Sequence, residues 1–84
     1  MGASPRVRPV RLAAKLAIVR AKLGITQPEL AEALSDNKVV VSKQDISKYE
    51  KGERDPSLVI LLRYSRLARV QMEIFADDKL DLPN

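Results

Sequence analysis

Ile25-Thr26-Gln27-Pro28-Glu29-Leu30-Ala31 and, further on, Ile46-Ser47-Lys48-Tyr49-Glu50-Lys51-Gly52 decide how this chain is read. The first stretch opens a short helix. The Thr26 hydroxyl can accept from the backbone N–H of Glu29 while the Glu29 side chain reaches back, a capping box. Pro28 fits because N–H groups in a first helical turn have no partner within the helix. Leu30, Ala31 and Leu34 form the inner edge. The second stretch is most of a helix predicted over 43–51, with Ser42 as N-cap and Gly52 as its stop. Ile46 and part of Tyr49 face inward. Gln44, Ser47, Lys48 and Lys51 share the other face by the three-to-four rule. That outer face has the chemistry and the width to lie in a DNA major groove.

Three further helices follow from the flanking sequence, and together they predict an all-α, compact five-helix domain. Pro5 and Pro9 keep the start extended, and Pro9 suits the entry to a helix. Leu12, Leu16, Val19 and Leu23 then recur as one helical stripe that Gly24 ends. After Gly52, Asp55 or Ser57 caps a fourth helix in which Leu58, Leu61, Leu62, Ser65 and Ala68 keep a helical period. A short fifth helix over 72–77 would set Met72 and Phe75 onto the core. No strand alternation and no internal repeat is visible. The expected division is a basic arm at 1–9, the domain at 10–77 and an acidic tail at 78–84.

The chain has 84 residues, which allow one domain near the lower size limit for a single hydrophobic core. Its 45% apolar content belongs to a globular chain. No apolar run nears the roughly 18 residues of a membrane span, and the start lacks the apolar stretch of a signal peptide. There is no cysteine and no histidine, so disulfides, thiol metal sites and most nucleophilic or zinc chemistry lose their usual groups. The expectation is a cytoplasmic, non-enzymatic protein without cofactor or metal. An enzyme running on Asp77, Asp78 and Asp81 with a divalent cation is the weakest reading. The net charge is +4, unevenly spread. Arg6, Arg8, Arg11, Lys15, Arg20 and Lys22 precede any acid, whereas Glu73, Asp77, Asp78 and Asp81 crowd the end against Lys79. Such a chain can lay a basic face on a polyanion and turn an acidic one away. A merely uneven solvated surface would look the same.

From Leu12 to Phe75 the sequence resembles the phage-repressor and Cro-like helix-turn-helix family, also called the xenobiotic-response-element family. The resemblance is carried by Arg20-x-x-x-Gly24-Ile25-Thr26-Gln27-x-Glu29-Leu30-Ala31, by Ser42-x-x-x-Ile46-Ser47-x-Tyr49-Glu50-x-Gly52, and by Pro56-Ser57-x-x-x-Leu61-Leu62. It implies that the second and third helices form the DNA-binding unit and that the third reads bases. By position, Lys43, Gln44 and Lys48 match base readers, with Ser47 beside them. Gln27 matches a phosphate clamp, Ser42 stands with it at a helix start, and Lys51 and Arg54 match backbone contacts. Arg20 and Glu50 match an ion pair that ties the first helix to the third. Relatives mostly bind as symmetric dimers on half-sites about one helical turn apart. The chemistry agrees: lysine can reach guanine O6 and N7, and glutamine can bond adenine N6 and N7 together.

The sequence departs from the family pattern in several places. Helix-turn-helix turns are short and often contain glycine, but 35–41 is an enlarged loop without one. Either Val41 fills the usual apolar slot beneath a surface loop, or Lys38 reaches a phosphate and Val39-Val40 meets a partner chain. Arg69 stands where relatives usually have glycine, so it takes a left-handed conformation or the turn differs. Asp45 caps Ser42 or accepts from a cytosine amino group. Arg6, Arg8 and Arg11 follow the backbone or enter a minor groove, or else belong to a solvated end. Leu80 and Leu82 are candidate dimer or core contacts. The function expected is sequence-specific binding of double-stranded DNA by a small transcriptional regulator of bacterial or phage type, a repressor acting by operator occupancy. The alternative is a protein-binding module on the same scaffold, such as an antitoxin or anti-regulator partner, using the last two helices and 39–41.

Overall fold

The computed structural model describes residues 9–83 and contains five helices and no strand among them. They are α1 (Leu12–Leu23), α2 (Gln27–Leu34), α3 (Lys43–Lys51), α4 (Leu58–Ala68) and α5 (Met72–Ala76). Residues 1–8, including Arg6 and Arg8 of the basic arm, lie outside the described residues. No helix described is long and apolar enough to cross a membrane.

α1 carries no side-chain cap of its own, because Arg11 occupies its N-cap position. It ends at Gly24, whose φ of 69° is the left-handed turn that glycine adopts without a Cβ penalty. Leu12, Leu16 and Val19 are buried as the stripe predicts, but Leu23 is exposed at the end of it. Lys15 takes the missing place. It is 2% exposed, and its Nζ donates to the carbonyls of Ile74 at 2.7 Å and Asp77 at 2.9 Å. A buried ammonium needs such acceptors, and Lys15 falls on the Leu12–Leu16–Val19 face by helical spacing. One of the cations assigned from sequence to the basic surface is therefore an internal clamp on α5.

The inward face of α4 agrees with expectation at Leu61, Ser65 and Ala68 and departs from it at Leu58. Ile60, Tyr64 and Ser65 are buried, Leu61 and Leu62 are half-buried, and Leu58 is largely exposed. The helix is rotated so that Tyr64 enters the core and meets Phe75 edge-on, with ring centroids 6.3 Å apart. An aromatic payload outweighs a leucine in the first turn. Ser57 rather than Asp55 is the N-cap, accepting from the Ile60 N–H at 3.3 Å. α4 closes on Arg69 with φ 59°, so the left-handed turn is kept without glycine. Phe75 is fully buried and Met72 half-buried.

The acidic end does not turn away from the basic start. Asp78 accepts the backbone N–H groups of Val10 and Arg11, both at 3.0 Å, and so supplies the cap that α1 lacks. Arg11 reaches the Asp78 carbonyl and the Asp81 carboxylate. At the other end of α1, Lys22 donates to the Pro83 carbonyl at 2.7 Å, and Leu82 packs on the core. Residues 78–83 thus run beside α1 as a strap. The reading of two opposed charged faces is corrected: attraction at short range outweighs separation.

Candidate nucleic-acid interface

α2 and α3 are each started by a reciprocal box. The Thr26 hydroxyl accepts from the Glu29 N–H at 3.2 Å while Glu29 Oε1 accepts from the Thr26 N–H at 2.8 Å. Ser42 and Asp45 repeat the arrangement at 3.1 and 2.9 Å. Each box satisfies two donors that a helix start would otherwise leave orphaned. Asp45 therefore caps Ser42. The Ser42 N–H, above all, holds its carboxyl below the usual range, with Arg54 and Lys48 adding to the effect.

The link between the two helices is an ordered loop. Asp36 Oδ1 accepts from the N–H groups of Lys38 and Val39, both at 2.8 Å, an Asx-type turn that replaces glycine. Ser35 Oγ accepts from the Val41 N–H at 2.8 Å, and Val41 is buried. Arg63 of α4 reaches across to the Leu34 carbonyl at 2.8 Å and to Asp36 at 2.6 Å. Val41 thus fills the apolar slot, Val39 is half-buried, and Val40 and Lys38 are exposed.

α3 buries Ile46 and Tyr49 against the core. Its other side exposes Lys43, Gln44, Lys48 and Lys51, with Ser47 half-exposed between them. The side chains of those three lysines and Gln44 make no hydrogen bond or ion pair with any described residue. The helix stops at Gly52, φ 74°, and the Glu53 N–H returns to the Lys48 carbonyl at 2.9 Å. A Cβ at Gly52 would stand 3.6 Å from the Ala13 side chain, so conformation rather than space asks for glycine there.

Arg20 locks the unit to α1. Its Nε and Nη2 donate to the two oxygens of Glu50 at 2.7 and 3.0 Å, and its Nη1 to the Ile25 carbonyl at 3.1 Å. The Glu50 side chain is 9% exposed. The fork-to-fork bond with Glu50 raises the Arg20 pKa further. Gln27, at the front of α2, stands 3.4 Å from Glu50 with its amide nitrogen, so this ion pair also steadies the residue matched to a phosphate clamp.

Besides Gln27 and Ser42, two more residues assigned to DNA from sequence, Arg11 and Arg54, have protein partners. Arg11 is bound to the strap. Arg54 donates to Asp45 at 2.9 Å. Of the carboxylates of the catalytic reading, Asp78 and Asp81 are engaged by Val10 and Arg11 and Asp77 accepts from the Lys79 N–H, and no acidic cluster among the described residues is suited to a metal ion. Arg63, which positions the loop, was not found from sequence. Nothing local marks a partner 27 residues away.

A family model described as helix-turn-helix matches residues 16–75. No curated protein and no solved structure matches the chain.

Proposed function

We propose, for a chain that belongs to the phage-repressor and Cro-like helix-turn-helix family of DNA-binding transcription regulators, that it represses by occupying an operator with α3 in the major groove. The observation that carries this reading is the α3 face: Lys43, Gln44, Lys48 and Lys51 stand exposed, unpaired among the described residues, on a helix whose other side is locked into the core. Lys43, Gln44, Ser47 and Lys48 read bases. Gln27, Ser42, Lys51 and Lys38 meet phosphates, with helix starts adding N–H donors and a favourable dipole. Binding as a homodimer would let two such faces enter successive turns of the groove.

Selection from randomised duplexes with sequencing, joined to a measurement of solution mass, tests this directly. About six phosphate contacts give a log–log salt slope near −5. A dissociation constant that ignores salt would overturn the proposal. Gln44→Ala relaxes preference at one base position, whereas Lys51→Ala weakens every sequence alike and lowers the salt slope by about one. If the two variants select the same sites with the same losses, the division into readers and clamps is wrong.

The protein-binding alternative draws on Val40, Leu58 and Val59, which are exposed apolar side chains. A second protein purifying with the chain in fixed ratio would favour it.

A further inference from the structure

Asp45 has partners from both ends of α3. Its Oδ2 closes the N-terminal box on the Ser42 N–H, and its Oδ1 accepts Arg54 Nη1, each at 2.9 Å. Arg54 lies beyond the Gly52 turn, so its side chain folds back along the flank of the helix. That flank adjoins the reading face, because Asp45 and Lys48 are neighbours at i and i+3. The Arg54 side chain is 52% exposed and that of Asp45 only 26%, so the guanidinium is held from the protein side and open on the other. Its Nε and Nη2, a parallel pair of donors suited to two phosphate oxygens, bond no described residue.

Resting on the duplex-binding reading above, we propose that Asp45 is a positioning residue for DNA: it holds Arg54 beside Lys48, so that the free edge of the guanidinium meets a phosphate on the groove wall. An arginine on a free turn loses rotamer freedom when it grips a phosphate, and one held in advance loses less. This explains why a carboxylate, itself repelled by phosphate, stands next to a DNA-reading surface.

The two roles of Asp45 predict opposite signs. Asparagine keeps an acceptor for the Ser42 N–H but removes the charge that holds Arg54. If Asp45 only caps, Asp45→Asn takes a negative charge out of the phosphate field and binding tightens. If it positions Arg54, binding weakens by about three- to tenfold, the scale of one ordinary net hydrogen bond. The experiment is a double-mutant cycle on the best duplex selected by the parent, using Asp45→Asn, Arg54→Ala and the double variant, with melting curves alongside. The expected result is weakening by Asp45→Asn in the parent and no weakening in the Arg54→Ala background. Tighter binding by Asp45→Asn, or equal weakening in both backgrounds, overturns the proposal. Should Asp45→Asn fail to fold, Arg54→Lys keeps the charge but loses the fork. It is expected to bind about three- to tenfold more weakly, and parent-like affinity overturns the proposal. A parent protein that binds no duplex overturns the underlying reading, before any variant is made.

Discussion

The α2–α3 unit and the α1–α5 side of the domain are held together by different means. In the first, the boxes at Thr26–Glu29 and Ser42–Asp45 and the turn at Asp36 join residues two or three apart. In the second, the bonds from Lys15 to Ile74 and Asp77 and from Val10 and Arg11 to Asp78 cross 59 to 68 residues. Arg20–Glu50 joins the two sides across 30 residues. Local bonds form at little loop-closure cost and start helices wherever the chain finds itself. Distant bonds exist only after the chain has collapsed, so they decide how the started helices are assembled. α3 is thus shaped by its own neighbours but aimed by residues far away.

Substitutions on the two sides should separate these contributions. The largest effect is expected at Lys15. Lys15→Ala leaves two carbonyls without their donor and a hole among Leu12, Leu16 and Val19, costing about 3 kcal/mol. Thermal melting should fall by roughly 10–20 °C, and a parent-like curve would show that the clamp is idle. Next comes Glu50→Ala, which strands the Arg20 charge. Since Arg20 is partly solvated, the cost is about 2 kcal/mol, below the range for a fully buried pair. Melting within a degree or two of the parent would mean the two sides are not coupled through this bond. Ser42→Ala removes one local cap and should cost about 1 kcal/mol. If it costs more than Lys15→Ala in chemical denaturation, the contrast between local and distant bonds is reversed.

A gain is expected at the α4 C-terminus. Arg69→Gly relieves a left-handed non-glycine residue and should stabilise by about 0.5–1 kcal/mol. No rise in melting temperature would mean that the Arg69 conformation carries no strain. The smallest effect appears only in acid. The N–H groups of Val10 and Arg11 hold the Asp78 carboxyl below its ordinary value, those of Val39 and Lys38 do so for Asp36, and Arg11 does so for Asp81. A carboxyl lowered in the folded state contributes stability above its unfolded pKa of about 4, and loses it as pH falls through the folded value. Asp78→Asn should therefore flatten the fall in stability below about pH 4 and leave the curve above pH 5 parallel to the parent's. An unchanged acid limb would show that Asp78 is not bound to the start of α1.

Much of the α2–α3 unit is legible in the sequence. Thr26, Glu29, Ser42 and Gly52 announce helix ends through side-chain chemistry that acts within one turn, and Ile46 against Lys48 divides the faces by spacing alone. The pairing of Arg20 with Glu50 came from the family pattern, since spacing says nothing about a partner 30 residues off. The period of α4 placed Leu61, Ser65 and Ala68 on the inner side as found, but it took in the exposed Leu58 and passed over Ile60 and Tyr64. Tyr64 goes inward because it meets Phe75 edge-on in the core, a contact that spacing within α4 does not announce. Lys15 was placed on the surface because its type is usually solvated, although its position lies on the buried stripe.

The sequence alone determined where four of the five helices begin or end, that they pack as one small domain, and which face of 43–51 stays wet. These are consequences of backbone capping and of apolar spacing, and both act over a few residues. Tertiary structure alone decided that Lys15 is internal, that Asp78 caps a helix almost seventy positions upstream, and that Arg54 rests on Asp45. A charged side chain carries no mark of its partner in the linear chain. The partner is chosen when folding brings donor and acceptor within reach, inside the core for Lys15 and at the surface for Asp78 and Arg54.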